Sequence, residues 1–174
     1  MIRSTVRPAA VLAAYIATIP AANLLIEHYG TVPVGPGLVA PAGVYMVGLA
    51  LVLRDLAREA AGRAAVVAAI AVGAVLSWVL ADPALAFASA AAFLLAESLD
   101  FAVYEPLRER GLLLAMGASN AVGLLADSLL FLWLAFGSLA FLPGQLVGKA
   151  WMTVAAITVI AVIRHRRERR TVTV

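Results

Sequence analysis

Long apolar runs alternate along the chain with short polar interruptions. Six runs, approximately 8–27, 39–57, 64–81, 84–104, 111–136 and 142–163, approach the about 20 residues a helix needs to cross a hydrocarbon core about 30 Å thick. Pro41, Pro83 and Pro143 stand near the starts of runs two, four and six, where a helix tolerates a missing N–H. Pro106 and Gly111 bracket the turn after the fourth run. The pattern predicts an all-α, polytopic membrane protein. It has one domain over 1–174, with six transmembrane helices and a short basic tail at 164–174.

Charge sets the expected orientation. Arg3 and Arg7 precede span one; Arg54, Arg58 and Arg63 lie between spans two and three; Arg108 and Arg110 lie between four and five; five arginines follow span six. That gathers 12 of the 13 basic residues on one side, the thirteenth being Lys149 inside span six. The positive-inside rule then makes both termini cytoplasmic, and the arginine tail a topological anchor able to touch anionic lipid. Arg3 and Arg7 ahead of a run ending IPAAN also have the charge pattern of a signal peptide. Cleavage would leave five spans and separate the tail from the other basic loops, so retention is expected.

Composition narrows the class further. Apolar residues make up 64% of the 174, charged residues 13%, and the mean hydropathy is +1.00, outside the range of soluble domains. The chain has no cysteine, and His28 and His165 fall at the edges of runs. Disulfides and thiolate sites are excluded, almost nothing remains to ligate a metal or haem in the bilayer, and no cofactor is expected. The pI near 9.8 does not point to nucleic acid, because the arginines are dispersed between spans rather than gathered on one patch.

Against this background the intramembrane polar residues stand out, since an acid at a membrane-helix centre costs about 2.5–3.5 kcal/mol on insertion scales. At 1.5 Å per residue, Glu97 lies roughly 20 Å below the outer start of span four, and Asn120 of span five falls at a similar level. Asp127 and Lys149 both come out at about 10–14 Å depth. Two polar layers are expected, an outer one with Asp127 and Lys149 and a deeper one with Glu97 and Asn120. Helical phase places Asn120, Gly123 and Asp127 on one face, Gln145, Lys149 and Thr153 on another, and Glu97, Asp100 and Tyr104 on a third. These faces should look into the bundle.

Each feature has a plainer reading beside the functional one. Asp127 and Lys149 are either a buried pair that fixes helix register or part of a site. Asp100 is shallow enough to reach cytoplasmic water, whereas Glu97 has no cation at its own level and is a functional candidate by default. Pro20 frees the carbonyl of Ile16, giving either a kink or a cavity-lining segment beside Asn23. Arg54 and Asp55 read as a solvated helix terminus, because an i,i+1 pair does not face one direction. Trp78 and Trp133 read as interfacial belt residues; Trp151 reads as belt or as a stacking wall.

The succession Arg54-Asp55-Leu56 with Gly62, then ESLDFAVYEPLR, then SNAVGLLADSLLFLWLAF, then GQLVGKAWMT resembles the vitamin uptake transporter family, which includes queuosine-precursor transporters. Its most specific part is Ser119, Asn120, Gly123, Asp127, Ser128 and Phe131 followed by Lys149. The resemblance implies a six-helix importer in the cell membrane for the deazaguanine bases preQ0 and preQ1, or a related vitamin-like heterocycle. It also points to Glu97, Asp100, Asn120, Asp127 and Lys149 as matching the family's intramembrane polar positions. Many relatives carry an amide where Glu97 stands, and the loops here are short, so the ligand can differ.

The residues are chemically suited to such a ligand. A guanine-like edge offers adjacent N–H donors to a carboxylate and a carbonyl to Asn, Gln or Lys, and Phe101, Tyr104 or Trp151 can stack on the ring. Glu97, Asp100, Asn120, Asp127, Lys149, Asn23, Gln145 and Tyr104 are therefore the candidate substrate-binding residues, with substrate expected between spans four, five and six. No GxxxxGK loop is present, so energy comes from a gradient, from cytoplasmic trapping or from a separate ATPase. The ATPase case is the alternative, a substrate-binding subunit of an energy-coupling-factor transporter docking through small-residue faces such as Ala10 and Ala14; a homodimer is also open. An enzyme is not expected, since GxSxG, HExxH and paired histidines are lacking. A purely structural membrane protein predicts that neutral replacements of Glu97, Asp100 and Asp127 change nothing.

Overall fold

The computed structural model describes residues 8–107 and 109–172. Among them are six helices: α1 Pro8–Tyr29, α2 Val44–Ala61, α3 Arg63–Leu80, α4 Pro83–Leu107, α5 Leu112–Phe136 and α6 Leu142–Val172. Arg3, Arg7, Arg108 and the last two residues of the tail lie outside the described residues. Four stretches are long and apolar enough to cross a membrane: α1, α3, α4 and residues 117–136 of α5. In α2 the sequence RDLARE, and in α6 Lys149 and the arginine-rich end, dilute the apolar run.

Local signals set the helix ends. Asp82 Oδ1 accepts the N–H groups of Ala84 and Leu85 at 2.9 and 3.0 Å, capping α4. Gly137, at φ +62°, ends α5 by donating to Trp133 O, as a left-handed residue does after a helix. Pro20 does not break α1, and Pro106 is accommodated in the last turn of α4. The tail expected at 164–174 continues α6 as helix through Val172.

The main departure from expectation is at 31–41. Thr31–Gly35 (β1) and Leu38–Pro41 (β2) form an antiparallel hairpin turning at Gly37, whose φ is +67°. The helix expected from 39 therefore starts at Val44, Pro41 ends a strand rather than opening a helix, and the helix runs to Ala61. The hairpin rests on the start of α6, where a Cβ at Gly144 would collide with the carbonyl oxygen of Val39. Tyr45 Oη donates to Pro33 O at 3.1 Å, and Val34, Ala40 and Val44 make a small apolar core beneath the hairpin.

Two larger cores join the helices. Tyr15 and Ile19 of α1 pack with Ala50 and Ala57 of α2, Val66 and Ile70 of α3, and Phe93 of α4. Ile26 packs with Ala88 and Ala92 of α4 and Phe131 and Leu132 of α5. Close seams are made by glycines: a Cβ at Gly48 of α2 would lie 2.7 Å from Met152 Cβ and 2.9 Å from Lys149 O of α6. Gly123 brings α5 against Ala96 O and Asp100 Cβ of α4. Trp78, Trp133 and Trp151 all point outward, the first two near the hairpin end of their helices. Trp151 is not a stacking wall.

Candidate functional site

Close packing of small residues brings polar side chains from all six helices into the interior, in two layers. In the layer nearer the hairpin, Lys149 of α6 reaches α5, where Nζ donates to Asp127 Oδ2 at 2.5 Å and Ser128 Oγ at 2.7 Å. Lys149 is only 1% exposed. Gln145, one turn earlier on the same stripe, is also buried, and its Oε1 has no hydrogen-bond partner.

Asn23 joins this layer from α1. Its Nδ2 donates to Ser77 Oγ of α3 at 2.5 Å, and its Oδ1 accepts from Ser89 Oγ of α4 at 2.7 Å. One amide thus ties three helices. Asn23, Asp127, Gln145 and Lys149 line one small cavity together with Val47, Ser89, Phe93 and Phe131. Helices α1 and α2 therefore line this space together with α4, α5 and α6.

The second layer centres on Arg54. Because α2 extends to Ala61, Arg54 lies two turns inside the helix and is buried, not a solvated terminus as its place in the sequence suggested. Its Nε and Nη2 donate to Asp55 Oδ1 at 3.1 and 2.8 Å, since the long side chain curls back past its own neighbour. Nη2 also donates to Asn120 Oδ1 at 3.2 Å, and Nη1 lies 3.6 Å from Glu97 Oε2. Arg58 Nη1 donates to Asp100 Oδ2 at 2.8 Å and lies 3.8 Å from Glu97 Oε1.

Glu97 is thus not without a cation at its level; two arginines of α2 flank it. Asp100 is 1% exposed and paired rather than open to water. The guanidinium of Arg58 also lies 5.7 Å from the centre of the Tyr104 ring, and that of Arg63 lies 3.5 Å from the Phe101 ring, both within cation–π range. Gly123 and Asp127 face the interior, whereas Asn120 on the same stripe is exposed apart from its bond to Arg54.

A second cavity runs between the layers, lined by Tyr15, Ala50, Leu51, Arg54, Phe93, Ala96 and Asp127. Each cavity leaves about 10 Å³ for the centre of a water molecule, room for about one water against the about 300–1,000 Å³ of ligand pockets. The interior is polar and closed.

Of the residues singled out from sequence, Asp127 and Lys149 pair, Glu97 and Asp100 meet the α2 arginines, Asn120 joins them through Arg54, and Asn23 and Gln145 face the hairpin-side layer. Arg54, Arg58, Tyr15, Ser77 and Ser89 were missed as partners. For the arginines the available signal was their position within RDLARE of an otherwise apolar run.

A family model described as "Putative vitamin uptake transporter" matches residues 77–164, half of the chain. The matched segment holds Glu97, Asp100, Tyr104, Asn120, Asp127, Gln145 and Lys149, and leaves out Asn23, Arg54 and Arg58. No curated protein and no solved structure matches the chain.

Proposed function

The chain belongs to the vitamin uptake transporter family, a multi-pass membrane transporter of a small molecule and not an enzyme, and from that premise we propose that it imports a flat polar heterocycle. The resemblance noted above makes a 7-deazaguanine such as preQ0 or preQ1 the leading substrate. All six helices cross the membrane, both termini are cytoplasmic, and the hairpin lies outside.

The observation that carries the site is the buried hairpin-side layer. Gln145 Oε1 is an unfilled acceptor, Asp127 is an acceptor held by a single lysine, and Asn23 is a buried amide, all around one space. A buried acceptor left empty costs about 1–3 kcal/mol, so it favours a ligand that brings N–H donors. Substrate enters as α6 moves from α5, replacing Lys149 at Asp127 and donating to Gln145; Glu97, Asp100, Asn120 and Tyr104 line its inward path. Lys149, released, faces the ligand's carbonyl.

The test is uptake of labelled preQ0 and preQ1 into cells lacking their own precursor synthesis and transporter, expressing this protein or its Asp127→Asn variant. Uptake by the first and not by the equally abundant second supports the reading. No uptake by well-inserted protein discards the substrate and turns attention to the alternative, a binding subunit that needs an ATPase module.

A further inference from the structure

Glu97 lies in the middle of α4, 3% exposed, and neither of its carboxylate oxygens has a hydrogen-bond partner. The cations around it are committed elsewhere. Arg54 donates to Asp55 and Asn120, and Arg58 to Asp100, so they approach Glu97 only to 3.6 and 3.8 Å. Arg63, from α3, lies over Phe101. On the other side, Tyr15 of α1 and Asp127 of α5 line the cavity next to Ala96, and Lys149 of α6 is held by Asp127 and Ser128.

Among the described residues of this cluster, Arg54 and Arg58 stand against the buried Glu97 and Asp100 and the half-exposed Asp55, which takes two of Arg54's hydrogen bonds and leaves Glu97 with none. A buried carboxylate without a hydrogen-bonded counter-charge is costly and is relieved by taking up a proton. Asp100 supplies the second half of the arrangement. It sits one helical turn from Glu97, on the same face, and its Oδ1 is likewise buried and unpartnered. A hydrogen on a Glu97 oxygen, directed to Asp100 Oδ1, removes the unbonded charge of Glu97 and fills an empty acceptor with one atom.

We propose that Glu97 and Asp100 hold one exchangeable proton between them, and that this proton moves inward with the substrate. The second clause rests on the import reading above; the first does not. The proton comes from outer water through the water-sized cavity between Asp127 and Arg54. It leaves to the cytoplasm when Arg58, the more exposed of the two arginines, turns from Asp100 to Glu97 and stabilises the carboxylate.

Two readouts test this. Infrared difference spectra of the purified, monodisperse protein between acidic and alkaline buffer should show one buried carboxylic-acid C=O band, sensitive to deuterium. Glu97→Gln should remove it. Asp100→Asn should remove it too, because Arg58 then turns to Glu97 and the charge is balanced without a proton; a merely structural acid would leave the band unmoved by that change. In proteoliposomes held at zero voltage, one pH unit, acidic outside, should drive about tenfold accumulation of labelled preQ0 for one proton per neutral substrate. Glu97→Gln should bring that ratio to one, whatever its absolute rate. A wild-type protein without the band, or a gradient effect that survives Glu97→Gln, overturns the proposal. A band without uptake by any variant supports the proton site and counts against the substrate.

Discussion

Lys149 Nζ lies 2.5 Å from Asp127 Oδ2, joining α6 to α5 at a point where both side chains are almost wholly buried. Removing one member of such a pair strands the other, at a cost of about 3–5 kcal/mol, whereas replacing both by apolar residues is often neutral. Lys149→Ala should therefore lower the unfolding temperature of detergent-solubilised protein sharply, and Lys149→Met with Asp127→Leu should recover most of the loss. If the pair belongs to the transport path, the recovered double variant still fails to take up substrate. Full uptake by it would leave the pair a register-fixing contact alone.

The glycine seams give a rank order. A methyl at Gly48 meets Lys149 O and Cα, backbone atoms that move only with the whole of α6. At Gly73 the nearest atom is the tip of Ile19, which has partial freedom to turn, and at Gly123 the contacts begin at 3.4 Å. Overpacking typically costs about 1–3 kcal/mol. Thermal aggregation of the three Gly→Ala variants should show Gly48 worst, Gly73 intermediate and Gly123 mildest; equal losses would mean that the α2–α6 seam is not tight.

The six helices were legible because apolar length is a strong signal and proline and glycine mark the ends. The start of α2 was not, since LVAP reads equally well as strand or helix over so short a run. That local ambiguity had a distant effect. Placing the helix five residues early put Arg54 at a solvated end and left Glu97 without a cation, whereas the hairpin shifts α2 and sinks Arg54 into the bundle. The GPG at 35–37 between TVPV and LVAP was the signal for the hairpin. Phase and depth did bring Asp127 to Lys149 and Glu97 to the level of Asn120, because both rest only on helix geometry. Ser77 and Ser89 carry no such mark, and their meeting at Asn23 depends on tertiary packing alone.

Asn23 is the hub of three helices, so its loss should exceed that of either serine. Asn23→Leu leaves the buried Ser89 hydroxyl without its acceptor and the Ser77 oxygen without its donor, about 1–3 kcal/mol. Ser77→Ala removes one interhelical bond, a contact averaging about 0.6 kcal/mol in membrane proteins. Unfolding midpoints in mixed detergent should separate the two variants clearly. A Ser77→Ala loss as large as that of Asn23→Leu would mean the serine does more than satisfy the amide.

The absence of native cysteine makes the orientation directly measurable, because any introduced thiol is the only one. Pro36, at the exposed tip of the hairpin, and Glu109, in the exposed turn between α4 and α5, lie at opposite ends of the helices that separate them. With both termini cytoplasmic, Pro36→Cys should react with a membrane-impermeant maleimide in intact cells, and Glu109→Cys only after permeabilisation. The reverse pattern would invert the chain in the membrane. It would also turn the hairpin-side layer toward the cytoplasm and make Asp127 and Lys149 the last polar residues on an inward path instead of the first.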